Sequence, residues 1–219
     1  MVNFSPAEEN YLKTIYHLQQ GKEPVSTNQL AAALQAAPAS ITDMLKKLSK
    51  KGLVSYRAYY GCILTVSGNT EAIGIVRRHR LWEYFLSQKL GFSWEEVHEV
   101  AEELEHVSNE KLINKLDEFL GFPKADPHGD PIPDANGKIT RLEQVALASL
   151  EEKKTAIVVQ IGNQSAEALE ILDEKKITIG TRIKVVKKYP FDESMEIKAD
   201  NKFSSHISKE LSHNIFIKN

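Results

Sequence analysis

Three apolar-periodic runs lie between residues 7 and 52, and two β-prone runs follow at once. Tyr11, Leu12, Ile15, Tyr16 and Leu18 recur at helical spacing over 7–20, and Gly21 ends that run. Ser26 followed three residues later by Gln29 is a capping-box signature, which opens a second helix through Leu30, Ala33 and Leu34. Pro38 suits the first turn of a third helix. Ile41, Met44, Leu45 and Leu48 supply its buried face, and Gly52 its end. Residues 54–60 and 63–65, around Gly61, read as a hairpin. Helix, short turn, helix and hairpin in that order predict a winged helix-turn-helix, in which the second helix of the pair enters the major groove of DNA.

The start of that recognition helix carries Pro38, Ala39, Ser40, Thr42 and Asp43. Small side chains allow close approach to base edges, and hydroxyls can donate or accept. Ser26 and Thr27 open the preceding helix and join the DNA-contacting candidates. Lys46, Lys47, Lys50 and Lys51 follow, with Arg57, Tyr59 and Tyr60 in the wing. These suit phosphate contacts, which position a protein without reading sequence. Taken alone, the lysines would equally describe a solvated helix face; the ordered series of cap, turn, basic helix and wing favours DNA. The net charge of −2 hides an uneven distribution. Residues 1–65 hold seven Lys/Arg and four Asp/Glu, whereas residues 66–150 hold nine and fifteen. A basic segment beside an acidic one points to an anionic and a cationic partner.

Further along, a long helix is expected over 68–90, a second over 94–107, and shorter ones over 109–120 and 140–153. Pro123, Pro127, Pro131 and Pro133 are half of the eight prolines and mark 121–137 as an irregular loop. From Thr155 the pattern changes to short β-prone runs at 156–161, 177–179, 182–186, 195–199 and 214–217, with one helical insert near 165–172. The fold class is therefore mainly α with β. Residues 1–67 are read as a winged helix-turn-helix, 68–150 as a helical domain and 151–219 as a small β-barrel.

The 94–107 segment carries the sharpest chemical pattern. His98, Glu102, Glu105 and His106 stand at i, i+4, i+7 and i+8, within about one third of a helix circumference. Val97, Val100, Ala101, Leu104 and Val107 make a separate apolar stripe, so the two imidazoles and two carboxylates line up beside the buried face. Carboxylates drawn toward a core need a compensating charge, which a divalent cation supplies. His79 and Glu83 add an i, i+4 pair on the preceding helix. Six N/O donors could serve one site or two. Imidazole with carboxylate and no thiolate suits Mn²⁺, Fe²⁺, Co²⁺ or Zn²⁺, and the carboxylate-rich mixture leans to the harder ions.

The single cysteine, Cys62, excludes a disulfide scaffold and a multi-thiolate zinc site. No stretch approaches the length of a membrane span and no secretory leader is evident, so a cytoplasmic protein is expected. A metallohydrolase is a rival reading of the His/Glu clusters. It would leave the basic helix-turn-helix without a role, and no His-Glu-x-x-His motif is present. An enzyme is therefore not expected. A DNA-binding protein with no metal switch is the other rival.

At this point a family resemblance becomes specific. Glu9-Asn10-Tyr11-Leu12-Lys13-Thr14-Ile15-Tyr16 resembles the opening helix of the iron- and manganese-dependent repressors related to the diphtheria toxin repressor. Arg78-His79-Arg80-Leu81 is similar to their long-helix motif, Glu102 to His106 to their metal-binding helix, and residues 121–129 to a loop of the streptococcal manganese regulators. The resemblance covers nearly the whole chain and implies that 68–150 is a helical dimerisation and metal-binding domain and that 151–219 is the SH3-like β domain of the longer members. It implies a primary metal site of Asn10, Glu102, Glu105 and His106, and a second drawing on His79, Glu83 and His98. The streptococcal pattern would instead pair Glu83 with candidates among Asp126, His128, Gln164 and Glu167.

Glu102 stands where the iron-responsive branch carries cysteine, which favours manganese over iron; zinc or cobalt would substitute in vitro. Asn10 stands where the manganese branch carries aspartate, and an amide oxygen is a weaker ligand. Lys13 stands where the short Bacillus-type regulator carries glutamate, and a protonated lysine cannot be a ligand. The resemblance further implies a homodimer on double-stranded operator DNA, repressing metal-uptake genes. In the mechanism expected from these assignments, unliganded carboxylates repel and leave the first helix poorly fixed. Metal then joins that helix to residues 94–107 and orients the DNA-reading domains.

Overall fold

The computed structural model describes residues 4–19, 21–94, 96–107, 109–140 and 143–218, which form two compact units. The first holds residues up to 79 together with 102–115 and 133–138; the second holds 80–101, 116–132 and 139–219.

In the first unit, α1 (Pro6–Leu18) is opened by Ser5, whose hydroxyl accepts from the Glu8 N–H while Glu8 returns to the Ser5 N–H at 2.9 Å. This reciprocal cap satisfies donors that the first turn would otherwise leave unpaired. Ser26 and Gln29 repeat it at α2 (Thr27–Ala33), and Pro38 begins α3 (Pro38–Lys50). The wing is the antiparallel hairpin β1 (Val54–Arg57) and β2 (Gly61–Leu64), with Val54 opposite Leu64. Val25 bridges to Cys62 through two backbone hydrogen bonds of 2.8 and 2.9 Å, bringing the chain ahead of α2 onto the hairpin. A Cβ at Gly61 would lie 2.9 Å from the Val25 carbonyl carbon at φ +105, so this close approach requires glycine. Leu12, Ile15, Leu30, Ile41, Leu45, Leu48 and Val54 form one fully buried core, joined by Cys62 and by Ile75 of α4 (Val66–Leu90).

Glu8 is only 2% exposed, and its carboxylate lies 2.6 Å from the Lys51 ammonium and 3.3 Å from that of Lys47. Burial alone would raise its pKa, but Lys51, the Ser5 N–H and Lys47 outweigh burial and lower it to about 2. A depressed carboxylate stabilises the fold above its unfolded pKa, and this contribution is lost as pH falls through the folded value. The first unit is expected to lose about 1–3 kcal/mol between pH 4.5 and 2. Glu8→Gln should flatten that slope in denaturation curves; a slope identical to wild type would remove Glu8 from the account.

The second unit contains α4 from residue 80, α5 (Val97–Leu104) to residue 101, and α6 (Glu110–Phe119) from residue 116. Its core is a six-stranded antiparallel sheet in the order β3-β8-β4-β5-β6-β7. The strands are β3 (Val145–Ala146), β4 (Thr155–Ile161), β5 (Arg182–Lys188), β6 (Met195–Ala199), β7 (Phe203–Ile207) and β8 (Ile215–Lys218). Two short helices, α7 (Ala166–Glu174) and α8 (Lys209–Asn214), complete it. Val158, Ile161, Ile183, Val185, Ile197 and Ile217 are fully buried; Ile183 and Val185 follow period-2 alternation, and a register shift between Val158 and Gln160 lets Val158 and Ile161 share the core.

Two expected elements are not formed. The helix expected over 140–153 includes residues 141 and 142, which lie outside the described residues. The rest is β3, a single 3₁₀ turn at Leu147–Ser149 and a turn through Lys153 at φ 65. Its apolar spacing serves to place Leu147 and Leu150 in the sheet core. The strand expected over 177–179 is consumed in ending α7: the Ile177 N–H donates to Leu172 O, and Gly180 turns the chain at φ +90. None of the described helices is long and apolar enough to cross a membrane.

Candidate metal centres and nucleic-acid interface

The winged unit presents its candidates as separate surfaces. Pro38, Ala39, Ser40 and Asp43 are exposed on the first turns of α3, with Lys46 and Lys50 beyond them. Thr42 is half-buried and its hydroxyl donates to Pro38 O at 3.0 Å. Ser26 and Thr27 are half-buried at the start of α2. At the wing tip the Arg57 guanidinium lies 4.0 Å over the Tyr60 ring, and Tyr59 is fully exposed at φ 67. A cation stacked on an aromatic face keeps its charge available to an anion. Lys47 and Lys51 meet Glu8 instead, joining α3 to α1.

Within the same unit, α1 faces the turn that follows α5. That helix ends at Leu104, so Glu105 and His106 lie on a turn and not on the expected helical stripe. The His106 Nδ1 is 2.6 Å from Glu9 Oε2, and Arg78 donates to Glu9 Oε1 at 2.7 Å and to the Glu105 carbonyl at 2.6 Å. The Lys13 ammonium donates to Glu102 at 2.5 Å and to Glu105 at 2.8 Å, and His79 Nδ1 meets the same Glu105 oxygen at 2.7 Å. The two carboxylates therefore do not face each other unscreened, as the expected mechanism had them. Glu105 has no exposed surface. Burial would raise its pKa, but His79 and Lys13 hold it below the ordinary carboxylate value. Its other oxygen, Oε1, and the Asn10 Oδ1 are buried and make no hydrogen bond. Orphaned buried oxygens beside an imidazole are the donor set a divalent cation completes.

The second unit gathers another set. Glu83, Asp126 and His128 are all buried, and their ligand atoms lie within 4.8 Å of one another. His98 Nδ1 is 3.2 Å from Glu83. His128 Nε2 is 2.8 Å from the Trp94 carbonyl, which can only accept; in the neutral ring Nε2 carries the proton and the buried Nδ1 keeps a lone pair with no hydrogen-bond donor. Burial first, then the Glu83 and Asp130 charges, raise the Asp126 pKa well above its ordinary value, and Arg80 at 3.6 Å only partly opposes them. A buried carboxylate whose charge Arg80 offsets only in part, beside a second carboxylate and an imidazole, fits a cation.

The loop is held against β4 by sequence-local and distant bonds. Asp126 Oδ1 accepts the His128 and Asp130 N–H groups, and Ile161 N–H donates to His128 O at 2.9 Å. Gln160 and Gln164 donate to the two oxygens of Asp130 at 2.5 and 2.7 Å. Gln164 thus meets Asp130, while Glu167 is exposed in the first turn of α7 and joins no donor group among the described residues. Arg80 and Asp130 were not legible as site partners, because only the tertiary fold places them there.

Comparison with known proteins bears on all three segments. Residues 3–62 match the family "Iron dependent repressor, N-terminal DNA binding domain" and residues 65–134 match "Iron dependent repressor, metal binding and dimerisation domain". Residues 145–219 match "FeoA domain". The iron-dependent repressor IdeR of Mycobacterium leprae is 30% identical over 184 residues, covering 78% of this chain and 78% of that protein. The regulator MntR of Oceanobacillus iheyensis is 31% identical over 122 residues, covering 56% of this chain and 82% of that protein. A solved structure described as a manganese-dependent transcriptional repressor in complex with manganese superposes with a TM-score of 0.84 at 31% identity, covering 96% of this chain and 98% of that one.

Proposed function

Since the chain belongs to the family of the diphtheria toxin repressor, the iron-dependent repressors and the manganese regulators, we propose that Mn²⁺ is the ion to which it responds. It is a metal-dependent transcriptional repressor, not an enzyme. The manganese reading is carried by the donor set around α1: Asn10 Oδ1, the carboxylates of Glu102 and Glu105, and the His106 imidazole. All are oxygen or imidazole donors, which suit the harder divalent ions. The one thiol, Cys62, is fully buried and pushed up to about 12 by that burial, so it offers no thiolate. Iron is the second reading, favoured by the similarity to an iron-dependent repressor.

A bound divalent cation would supply positive charge to these oxygens and a link between α1 and the turn after α5. The chain's own residues prepare for it. Glu9 fixes the His106 ring through Nδ1 and leaves Nε2 for a ligand, and Arg78 anchors the Glu105 backbone. Glu8 carries the position of α1 to α3 through Lys47 and Lys51. Glu83, Asp126 and His128, with His98 beside Glu83, would hold a second ion.

In this reading residues 1–67 contact operator DNA. Ser26, Thr27, Pro38, Ala39, Ser40, Thr42 and Asp43 face bases, and Lys46, Lys50, Arg57, Tyr59 and Tyr60 face phosphates. Residues 68–150 pair two copies so that their recognition helices meet half-sites about one helical turn, or a multiple, apart. Residues 151–219 form the SH3-like part, and metal-uptake genes of the same cytoplasm are the targets.

The test is DNA binding to promoter fragments of such genes, in EDTA and then with Mn²⁺, Fe²⁺, Zn²⁺ or Co²⁺, at one fixed salt concentration because phosphate contacts vary steeply with salt. Binding is expected only with metal, with Mn²⁺ effective at the lowest free concentration; alanine at Glu102 and His106 should raise the Mn²⁺ required by about 100-fold. Fe²⁺ acting at lower concentration would select the iron reading. Equal binding in EDTA would overturn the switch.

A further inference from the structure

We infer that Lys13 is a built-in cation that limits the first unit to a single metal ion. This rests on the reading that Asn10, Glu102, Glu105 and His106 hold one. His79 forms a three-donor group with the same Glu102 and Glu105, with ligand atoms within 4.8 Å of one another. That spacing would serve an ion of its own, yet the Lys13 ammonium already lies 2.5 Å from Glu102 Oε1 and 2.8 Å from Glu105 Oε2. The same Glu105 Oε2 meets His79 Nδ1 at 2.7 Å.

Lys13 is itself 8% exposed, so its charge is held there by the fold and is not a solvated surface charge that happens to be near. A second divalent ion in this group would have to take oxygens already bonded to an ammonium, at contact distance from a like charge. The other Glu105 oxygen, Oε1, is left open, since it makes no hydrogen bond. Glu105 is thus divided, with one oxygen for Lys13 and His79 and one for the metal. Lys13 thereby sets the number of ions and holds Glu105 in the orientation that presents Oε1.

The experiment counts Mn²⁺ per full-length chain by equilibrium dialysis and records its electron paramagnetic resonance spectrum. Glu83→Gln with His128→Ala and Asp126→Asn serves as the background, removing the three grouped donors of the second unit. The Lys13-containing parent is expected to bind one ion with the spectrum of an isolated Mn²⁺. Lys13→Gln and Lys13→Ala in that background are expected to bind two, with the spectrum of a coupled pair. Thermal melts establish that each variant is folded, and Lys13→Gln, which keeps length and a hydrogen-bond donor, decides the matter if the alanine variant does not fold. A count that stays at one in a folded Lys13 variant, or that is already two in the parent, overturns the inference. A parent that binds none overturns the underlying site reading instead, and this inference with it.

Discussion

Glu105→Gln is expected to abolish metal-dependent DNA binding and to lower the stability of the first unit by about 3 kcal/mol. Glu105 has no exposed surface and meets Lys13 and His79 through one oxygen. An amide in its place keeps the shape but removes the negative charge, leaving a largely buried ammonium with Glu102 as its remaining carboxylate partner here. Breaking a buried pair from one side costs more than the pair itself contributes, because the surviving charge stays desolvated. The same substitution removes a fully enclosed carboxylate whose second oxygen, Oε1, makes no hydrogen bond. Urea denaturation measures the first effect and a Mn²⁺ titration of DNA binding the second. A variant of wild-type stability that still responds to Mn²⁺ would show that Glu105 neither holds the ion nor bears the local charge balance.

Gly129→Ala should have a comparably large but differently placed effect. At φ +89 a Cβ there would overlap the Val159 carbonyl oxygen and lie 2.7 Å from the Gln160 Cα, so neither the backbone conformation nor the space admits one. Since Gly129 sits between His128 and Asp130, the loop must lift from β4, and the Ile161–His128 and Gln160–Asp130 hydrogen bonds lengthen with it. Metal affinity at Glu83, Asp126 and His128 should fall by about 10–100-fold, while the site at Asn10 and Glu105 keeps its own. Calorimetry on wild type is expected to resolve two binding steps and on the variant one. Two unchanged steps would mean that the loop does not contribute ligands, and loss of both would mean that the sites are coupled.

The winged unit was legible in the sequence because its signals are local. Ser26 with Gln29, Pro38 and Gly52 fix helix ends within one turn of themselves, and the structure uses them so. Over 140–153 and 177–179 the same kind of reading failed. Apolar spacing compatible with a helix or strand was there drawn into a 3₁₀ turn and a helix end by packing against a distant sheet. β7 escaped notice because Phe203-Ser204-Ser205-His206-Ile207 is largely polar and its pairing with β6 supplies what its side chains do not. The donor residues were visible as residue types at helical spacing. Their arrangement was not, since the spacing argument carried the helix through Glu105 and His106, whereas α5 stops at Leu104. Lys13, Arg78, Arg80 and Asp130 became partners only through contacts made across long stretches of chain.

Glu8 and Glu9 are neighbours on α1, about 100° apart around its axis, and they serve different partners. Glu8 takes the lysines of α3, and Glu9 takes Arg78 and His106. A single helical turn is stiff, so any torque applied at His106 reaches the recognition helix through a lever one residue long, without deforming the apolar interior. Trimming Leu45 or Ile41 should soften the whole body while the gain of the lever persists, whereas exchanging either glutamate should leave two ends that no longer turn together, with Glu8 giving up its share of stability as well.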